Sequence, residues 1–393
     1  RDSSQQPTRT EISRMLKQHG KAVLERNRST YLSGIANGAL RDDQSVVFDN
    51  LMRLPLTNWS YQIGARVDAA DAQRAVRKKY GATAVIVQVE LRYALARADA
   101  IPTTHDLWWT FVQRDGKPVV VGDSDLADAG GPSWRGPWDF GPLAVVAGNS
   151  ALVLGHDDRA GLLKAIAATI DKAVPVVTSV VGRDWSRYAV VLAPDTAQEL
   201  DAALGSITPG TSEIGALAVA DGTDPLSGKV LGQRLVTEPD QLERLSDVGR
   251  RIVLQHELTH LATAAITTDA TPRWLNEGFA EYVGNMGSGQ SVTEAASELR
   301  TEVRRSGPPK GLPDAGAFDA STGAPQAYES AWLACKLIAS KYGQRALVTL
   351  YRSVGRSSQS SDQAAVDGLR SVLHVTQSRF LALFRSYVLA QLT

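Results

Sequence analysis

The chain has 393 residues, 43% of them hydrophobic, which is enough for two or three domains with ordinary cores. Its 42 basic and 42 acidic residues leave a formal net charge of zero, so charge gives no reason to expect nucleic acid or an anionic membrane as a partner. No uninterrupted apolar run of about 18 residues occurs, so we expect no transmembrane segment.

The chain opens on the polar, turn-prone stretch RDSSQQPTRT, whose first residue is Arg1 rather than a methionine. Two explanations fit this composition equally well. Either a signal or lipid anchor has been removed from the protein, or the boundary has no biological meaning.

The first region of the chain combines helical and strand patterns. Apolar residues such as Ile12, Leu16 and Val23 recur close to the period of an amphipathic helix, and they predict one opening helix over EISRMLKQHGKAVLERNRSTYLSGI. Two segments rich in β-branched and aromatic residues, ATAVIVQVELRYALARA and DLWWTFVQRDGKPVVVG, predict long strands with a hairpin turn at Arg114–Lys117. We therefore expect an α+β domain over residues 8–126.

This order of elements is similar to the cone-shaped nuclear-transport-factor-2-like fold, whose curved sheet often encloses a pocket. The resemblance implies that Trp108 or Trp109 lines such a pocket. The alternative is that one of these tryptophans packs in the core and the other covers a surface, which is the commoner use of aromatic side chains.

A stretch rich in glycine and proline, residues 127–148, predicts an interdomain connector that Trp134 and Trp138 attach to a domain. After it, SALVLGH and YAVVLAP are typical of strands, and RAGLLKAIAATIDKAV and DTAQELDAAL are typical of helices, the second with Asp195 as N-cap. Two further apolar runs, IGALAVA and KVLGQRLVT, follow. Residues 149–393 are therefore expected to form a small, mostly β sheet followed by helices.

The segment LSDVGRRIVLQHELTHLATAAI has the spacing of a helix, with Ser246 as a cap. Residues four apart lie one turn apart on the same face of a helix, so the imidazoles of His256 and His260 can reach one metal ion. Catalytic zinc sites use three protein ligands and a water, which leaves one ligand to be found.

That ligand is expected on a second helix. Thr271 and Pro272 resemble an N-cap and a first helical residue, so RWLNEGFAEYV should form a helix that returns to the metal and brings Glu277, with sixteen residues between it and His260. Glu257 lies about 100° around the first helix from its neighbour, which suits it to accept a proton from water rather than to bind the metal.

HELTH together with WLNEGFAEY resembles the glutamate-zincins, the thermolysin-like and alanyl-aminopeptidase-like metallopeptidases, and in particular the peptidase-MA-like group of bacteria. The resemblance covers residues 150–393. It implies a zincin-like metallopeptidase domain with zinc (Zn²⁺) ligands at His256, His260 and Glu277, and with Glu257 as general base and acid.

The same resemblance assigns two supporting residues. Glu281 matches the acidic residue that orients a ligand histidine from behind. Tyr328, in QAYESAWLACKLIASKYG, matches a tyrosine whose hydroxyl stabilises the oxyanion, although it could instead only cap or pack its helix. Cys335, in the apolar run of that segment, is expected to be a buried small hydrophobic residue, and as the chain's single cysteine it cannot form an internal disulfide.

The sequence departs from the aminopeptidases in two respects. It places the second histidine and Glu277 slightly closer together, which makes Glu281 an alternative ligand. It also lacks a Gly-x-Met-Glu-Asn stretch, which binds the free amino terminus of the substrate in those enzymes. The resemblance therefore implies an endopeptidase rather than an aminopeptidase.

We expect a zinc-dependent peptidase acting on a peptide or protein substrate, which binds by strand addition to IGALAVADG. Two alternatives remain: an inactive zinc-binding scaffold or ligand-binding module of the cell envelope, and a zinc hydrolase of non-peptide amides. Secreted or lipid-anchored members of the resembled group favour an extracytoplasmic location. The sequence carries no indication of the oligomeric state.

Overall fold

The computed structural model describes residues 5–66, 69–127, 130–205, 215–224 and 226–393. It confirms the predicted α+β class. The chain forms two compact units, the first comprising Arg1–Val145, Leu154–Ala160 and Pro194–Gly205, and the second Val146–Val153, Gly161–Ala193 and Ser206–Thr393. The predicted boundaries 8–126, 127–148 and 149–393 stay a prediction.

The possible removal of a signal or anchor before RDSSQQPTRT concerns the first residues of the chain. Residues 1–4 lie outside the described residues.

The first unit begins with helices and continues with an antiparallel sheet. Its main elements are α1 Arg9–Leu24, α2 Arg28–Ser33, α3 Ala39–Leu51, β1 Leu56–Arg66, α4 Ala70–Tyr80, β2 Val85–Leu95, β3 Thr103–Arg114 and β4 Lys117–Gly122. The strands pair in the order β1-β2-β3-β4. The hairpin turn predicted at Arg114–Lys117 is confirmed, because Asp115 and Gly116 join β3 to β4 with φ angles of 49° and 73°, the left-handed conformation of a two-residue turn.

The predicted opening helix is in fact two helices. α1 begins at a capping box formed by Thr8 and Glu11 and ends before Arg26, whose φ is 56°. Asn27 then caps α2 by accepting a hydrogen bond from the Thr30 backbone N–H. The apolar period continues across this break, so periodicity alone does not reveal it.

Aromatic side chains fill the core of the first unit. Trp138 of the expected connector is 2% exposed, and its ring centroid lies 5.1 Å from both Trp59 and Tyr93. The predicted attachment of this stretch by its tryptophans is therefore confirmed. Trp109 is buried and lines a cavity of about 30 Å³, whereas Trp108 is half-buried and packs on an apolar cluster at α4.

The rest of the chain supplies a second sheet and a helical region. Its elements are β5 Ala144–Ala147, β6 Ala151–Gly155, α5 Ala160–Val181, β7 Ala189–Leu192, α6 Ala197–Leu204, β8 Ala216–Val219, β9 Gly222–Thr223, β10 Val230–Leu231, β11 Arg234–Thr237, α7 Pro239–Arg244, α8 Asp247–Thr263, α9 Arg273–Gly284, α10 Val292–Ala295, α11 Ser297–Ser306, α12 Ala324–Tyr342, α13 Gln344–Gly355, α14 Ser361–Leu373 and α15 Gln377–Leu392. The sheet order is β5-β6-β7-β11-β8, with β8 antiparallel to β11.

One local prediction in this region needs correction. The N-cap of α6 is Thr196, whose hydroxyl accepts a hydrogen bond from the Glu199 backbone N–H, and not Asp195. The side chain of Asp195 instead pairs with Arg159. The run KVLGQRLVT forms two strands, because Gly232 takes a φ of 57° between β10 and β11.

The predicted site residues lie on three helices, α8, α9 and α12. Glycines in α9 allow these helices to approach one another closely. A Cβ at Gly278 of α9 would overlap the Ala331 carbonyl of α12, and a Cβ at Gly284 would lie 3.3 Å from the Cβ of His256 on α8. No helix within the described part of the chain combines the length and apolar character needed to cross a membrane.

Candidate metal centre

Helix α8 carries the two histidines. The predicted cap is confirmed, since the Ser246 hydroxyl accepts a hydrogen bond from the Gly249 backbone N–H at 3.1 Å. The Nε2 atoms of His256 and His260 lie 3.0 Å apart. His256 is buried and His260 is half-buried, and two imidazole nitrogens at this separation can bind the same metal ion.

Helix α9 brings Glu277 to the same point. Its Oε2 lies 3.4 Å from Nε2 of His256 and 3.3 Å from Nε2 of His260. Donor atoms at the corners of a tetrahedron around zinc, with bonds of about 2.0–2.1 Å, are roughly 3.3–3.4 Å apart. Both distances to Glu277 match this edge, and the 3.0 Å between the two histidine nitrogens is somewhat shorter. The three side chains could therefore hold one zinc ion and leave a fourth position for water or substrate.

The start of α9 differs from its prediction by one position. The helix begins at Arg273, and Pro272 occupies the N-cap position in extended conformation without a side-chain cap. Thr271 acts one turn earlier, where its hydroxyl accepts a hydrogen bond from the Thr268 backbone N–H. Proline still sets the helix start, because it fixes φ and needs no hydrogen bond for a backbone N–H.

Glu257 lies beside the triad with its carboxylate buried. Its Oε2 accepts a hydrogen bond of 2.9 Å from the backbone N–H of Ala218 on β8, and its Oε1 lies 3.9 Å from Nε2 of His256. Burial raises the pKa of Glu257, while the nearby charges of His256 and His260 act against this rise. A carboxyl group held in this way can take up and return a proton.

Glu281 supports His256 from the opposite side of the ring. Its Oε1 lies 3.2 Å from Nδ1 of His256, and its Oε2 accepts a hydrogen bond of 3.0 Å from the Asn285 side chain. This contact leaves Nε2 of His256 for the triad. The structure thus groups Glu277, and not Glu281, with the two histidines.

The charges of these groups stabilise one another. Burial by itself lowers the pKa of His256, but its contacts with Glu277 and Glu281 outweigh burial and raise that pKa well above its usual value. Burial raises the pKa of Glu277, and the two histidines reverse this and bring it far below its usual value. Opposite charges within hydrogen-bond distance favour the charged forms.

Tyr328 belongs to α12, and its ring centroid lies 6.4 Å from that of His256. The rings of Phe318 and Tyr328 pack nearly perpendicular to each other, with their centroids 5.0 Å apart. The guanidinium of Arg273 lies over the Phe318 ring, 5.2 Å from its centroid. Arg273 is in turn held by a paired contact with Asp319. This stack fixes the ring of Tyr328 at the wall of the site.

Two cavities meet at His256, Glu257 and Tyr328. One, of about 420 Å³, follows β8 and the later turns of α8, and the other, of about 480 Å³, follows the earlier turns of α8 and the start of α12. Away from the residues that the two cavities share, the second is lined by apolar side chains, Ile252, Val253, Ala295, Ala320, Ala324, Pro325 and Trp332, and by the polar Glu281, Ser321 and Glu329. The site is therefore open along α8 in both directions.

Sequence reasoning missed two groups at this site. The Ala218 backbone N–H that holds Glu257 is a main-chain donor, which no residue type reveals. Asn276 also lines the first cavity and accepts a hydrogen bond from Tyr351 of α13. Its position next to Glu277 was a usable signal, because a metal ligand's neighbour on a short helix lies near the same cavity.

Cys335 is buried in α12, as predicted, and makes no contribution to the site. Its Sγ would lie 3.0 Å from a Cβ at Gly278, so it helps α9 and α12 to pack closely. Burial raises the pKa of its thiol, which keeps the group neutral and unreactive.

No protein-family model matches the sequence, and no curated protein matches it. The chain is similar to several solved structures, two of which are described here. One is a mutant of a two-domain M1 zinc metallopeptidase bound to L-arginine, with a TM-score of 0.36 and 13% identity over 78% of this chain. The other is a mutant of an M1 zinc metallopeptidase from Deinococcus radiodurans, with a TM-score of 0.36 and 14% identity over 78% of this chain.

The matched region spans 61% and 62% of those two chains. At this TM-score and identity the similarity assigns neither a family nor an activity to the chain. What the site can do is inferred from its own residues.

Proposed function

We propose that the protein is a zinc-dependent peptidase that hydrolyses internal peptide bonds. The observation that carries the proposal is the convergence of three ligand atoms, from His256, His260 and Glu277, within 3.0–3.4 Å of one another, beside a buried carboxylate that does not join them. A site that only binds metal has no use for that carboxylate, Glu257.

Bound at this triad, zinc would polarise a substrate carbonyl and lower the pKa of a water molecule toward about 7. Glu257 accepts the proton of the attacking water and delivers it to the leaving amine nitrogen. The Ala218 N–H keeps one carboxylate oxygen of Glu257 in place, and Oε1 remains directed toward His256. Tyr328 is assigned as the hydroxyl donor to the oxyanion that develops on the carbonyl.

The substrate is proposed to bind as an added strand along β8. This strand ends the sheet order and has β11 as its sheet neighbour on one side. Leu217, Ala218 and Val219 of β8 line the cavity of about 420 Å³ at the triad. An extended peptide gains main-chain hydrogen bonds at such an edge while its alternate side chains enter pockets.

Internal cleavage is supported by the shape of the site. The two cavities leave the triad along opposite directions of α8, one past Leu261 and Ala264 and the other past Ile252 and Val253. A peptide can therefore continue on both sides of the cleaved bond. The sequence also lacks a Gly-x-Met-Glu-Asn stretch, which binds the free amino terminus of the substrate in the aminopeptidases, and this agrees with the choice of internal cleavage.

The test is a peptide library incubated with purified protein, with and without a chelator, alongside the variant Glu257→Gln. We expect zinc-dependent cleavage at internal bonds, and a loss of turnover of about 10²–10⁴-fold in the variant with its zinc content unchanged. Glu243→Gln, at an exposed position of α7, is the matched control. Unchanged cleavage by Glu257→Gln would remove the assigned base, and cleavage of non-peptide amides alone would change the substrate class.

A further inference from the structure

A hydrogen-bonded group of three residues lies beside the metal ligands. The Tyr351 hydroxyl of α13 lies 2.6 Å from Oδ1 of Asn276 and 2.7 Å from Oγ1 of Thr267. Tyr351 is 1% exposed, whereas Asn276 and Thr267 are half-buried and line the cavity of about 420 Å³. A buried tyrosine thus holds two polar residues of the cavity wall.

The geometry fixes the orientation of the Asn276 amide. A separation of 2.6 Å is typical of an O–H···O hydrogen bond and short for a bond that involves nitrogen, so Tyr351 donates to the carbonyl oxygen of Asn276. Burial raises the pKa of Tyr351 to about 12, which keeps its hydroxyl protonated and able to donate. The amide nitrogen of Asn276 must then point away from Tyr351.

The amide nitrogen of Asn276 is available to a ligand. Throughout the residues that the structure describes, no group accepts a hydrogen bond from Nδ2 of Asn276. Its helix position, directly before Glu277, places it on the wall that a substrate passes next to the triad. A fixed N–H donor that faces such a cavity is suited to an acceptor oxygen on the ligand.

We infer that the Asn276 amide donates a hydrogen bond to a backbone carbonyl oxygen of the bound peptide, and that Tyr351 is the positioning residue that sets the direction of this donor. The inference rests on the proposed peptidase function and adds to it a main-chain contact from α9, which lines the same cavity as β8. Because the contact is to the peptide backbone, it selects for a peptide and not for a particular side chain.

The tight packing of α13 supports this role for Tyr351. A Cβ at Gly355, one turn further along α13, would overlap the carbonyl of Ile266, and the Thr268 hydroxyl donates to the Gly355 carbonyl at 3.0 Å. The Phe279 ring lies 4.8 Å from that of Tyr351. Tyr351 therefore cannot follow the Asn276 side chain if the amide rotates.

The test measures kcat, KM, zinc content and melting temperature for Asn276→Ala, Tyr351→Phe and the double variant on a peptide that the wild type cleaves. We expect Asn276→Ala to raise KM about five- to tenfold, the loss of one neutral hydrogen bond, with kcat and zinc content close to wild type. Tyr351→Phe should raise KM by a smaller factor. In the Asn276→Ala background it should add no further change in KM.

Tyr282→Phe is the matched control. Tyr282 also belongs to α9, and its hydroxyl donates to the amide oxygen of Gln344, at 3.2 Å, away from both cavities. An unchanged KM in Asn276→Ala, or a full effect of Tyr351→Phe in the double variant, would overturn this inference while leaving the peptidase intact. If the wild type cleaves no peptide at all, the proposed function and this inference both fail.

Discussion

His19 in the first unit and His256 in the second are both buried, with 2% and 8% of their surfaces exposed, yet their surroundings shift their pKa values in opposite directions. Nδ1 of His19 contacts the Tyr31 carbonyl at 3.0 Å, and its Nε2 is buried without a hydrogen-bond partner. Burial lowers the pKa of His19 to about 4. His256 has carboxylates at both ring nitrogens, and its pKa is raised.

Buried carboxyl groups show the same contrast. Burial raises the pKa of Asp139 in the first unit to about 6, and the charge of Arg135 only moderates this effect. Glu277 is also largely buried, and its two histidine partners lower its pKa. Burial therefore favours neutral groups unless a charged partner lies within contact distance. Among the described residues, His256, His260 and Glu277 of the second unit form a group whose potential ligand atoms all lie within 4.8 Å of one another, which is the pattern of a functional site.

The largest effect is expected from removing one of the proposed metal ligands, because the second unit then loses the group of partners that distinguishes it from the first. His260→Ala leaves two ligands, fewer than a catalytic zinc site uses. We expect stoichiometric zinc and all detectable hydrolysis to be lost together, as measured by elemental analysis and peptide cleavage. A variant that retains one zinc per chain would show that His260 is no ligand.

The next effect concerns the oxyanion. Tyr328→Phe removes a hydroxyl and leaves the ring stack with Phe318 in place. We expect kcat to fall by about 10²–10³-fold, the usual cost of losing one oxyanion donor, with little change in zinc content. Tyr282→Phe serves as control here too. Equal kcat values for Tyr328→Phe and wild type would limit Tyr328 to packing.

A smaller loss of zinc affinity and activity is expected from changing Glu281, which contacts His256. Glu281→Gln keeps the size of the side chain but removes the charge that faces Nδ1 of His256. Zinc affinity or activity should fall by roughly 10–100-fold, measured by competition with a chelating dye and by kcat/KM. If Glu243→Gln reduced both quantities as much, the effect of Glu281 would not depend on its place behind His256.

The smallest effect concerns pH and stability in the first unit. The folded pKa of Asp139, about 6, exceeds the ordinary aspartate value of 3.8, so the folded state binds the proton more tightly and loses stability as the pH rises between those values. The slope is at most about 1.4 kcal/mol per pH unit. Asp139→Asn should remove this loss, as measured by urea unfolding from pH 4 to 7.

His19 contributes the opposite slope over nearly the same range. Its folded pKa, about 4, lies below the ordinary histidine value of 6.5, so the unfolded state binds more protons and stability rises as the pH increases between those values. Asp139→Asn should therefore show a steeper rise of unfolding free energy with pH than the wild type. Parallel curves for the two proteins would contradict the account of burial given for the first unit.

The elements that hold the site could be predicted from local sequence. Helix geometry alone places His256 and His260 on one face, and Ser246 marks the start of α8. The sequence of the β3–β4 turn, with Asp115 and Gly116 between two apolar runs, has a similarly local cause. These features depend on residues within about one turn of each other, which is the distance that periodicity and capping describe.

Features that depend on distant parts of the chain could not be predicted. The Ala218 N–H reaches Glu257 across 39 positions and Tyr351 reaches Asn276 across 75, and no local pattern records such contacts. The break at Arg26 was missed because the apolar period runs through it. The cap of α6 was misplaced by one residue, since Asp195 and Thr196 are both good N-caps and Asp195 pairs with Arg159 instead.

The central claim is that one zinc ion is shared by α8 and α9. Anomalous diffraction at the zinc edge, on crystals of protein purified with zinc, tests it directly. The account predicts one strong peak per chain, at about 2.0–2.2 Å from Nε2 of His256, Nε2 of His260 and Oε2 of Glu277. The absence of a peak at these atoms, or a peak bound by other side chains, would contradict it.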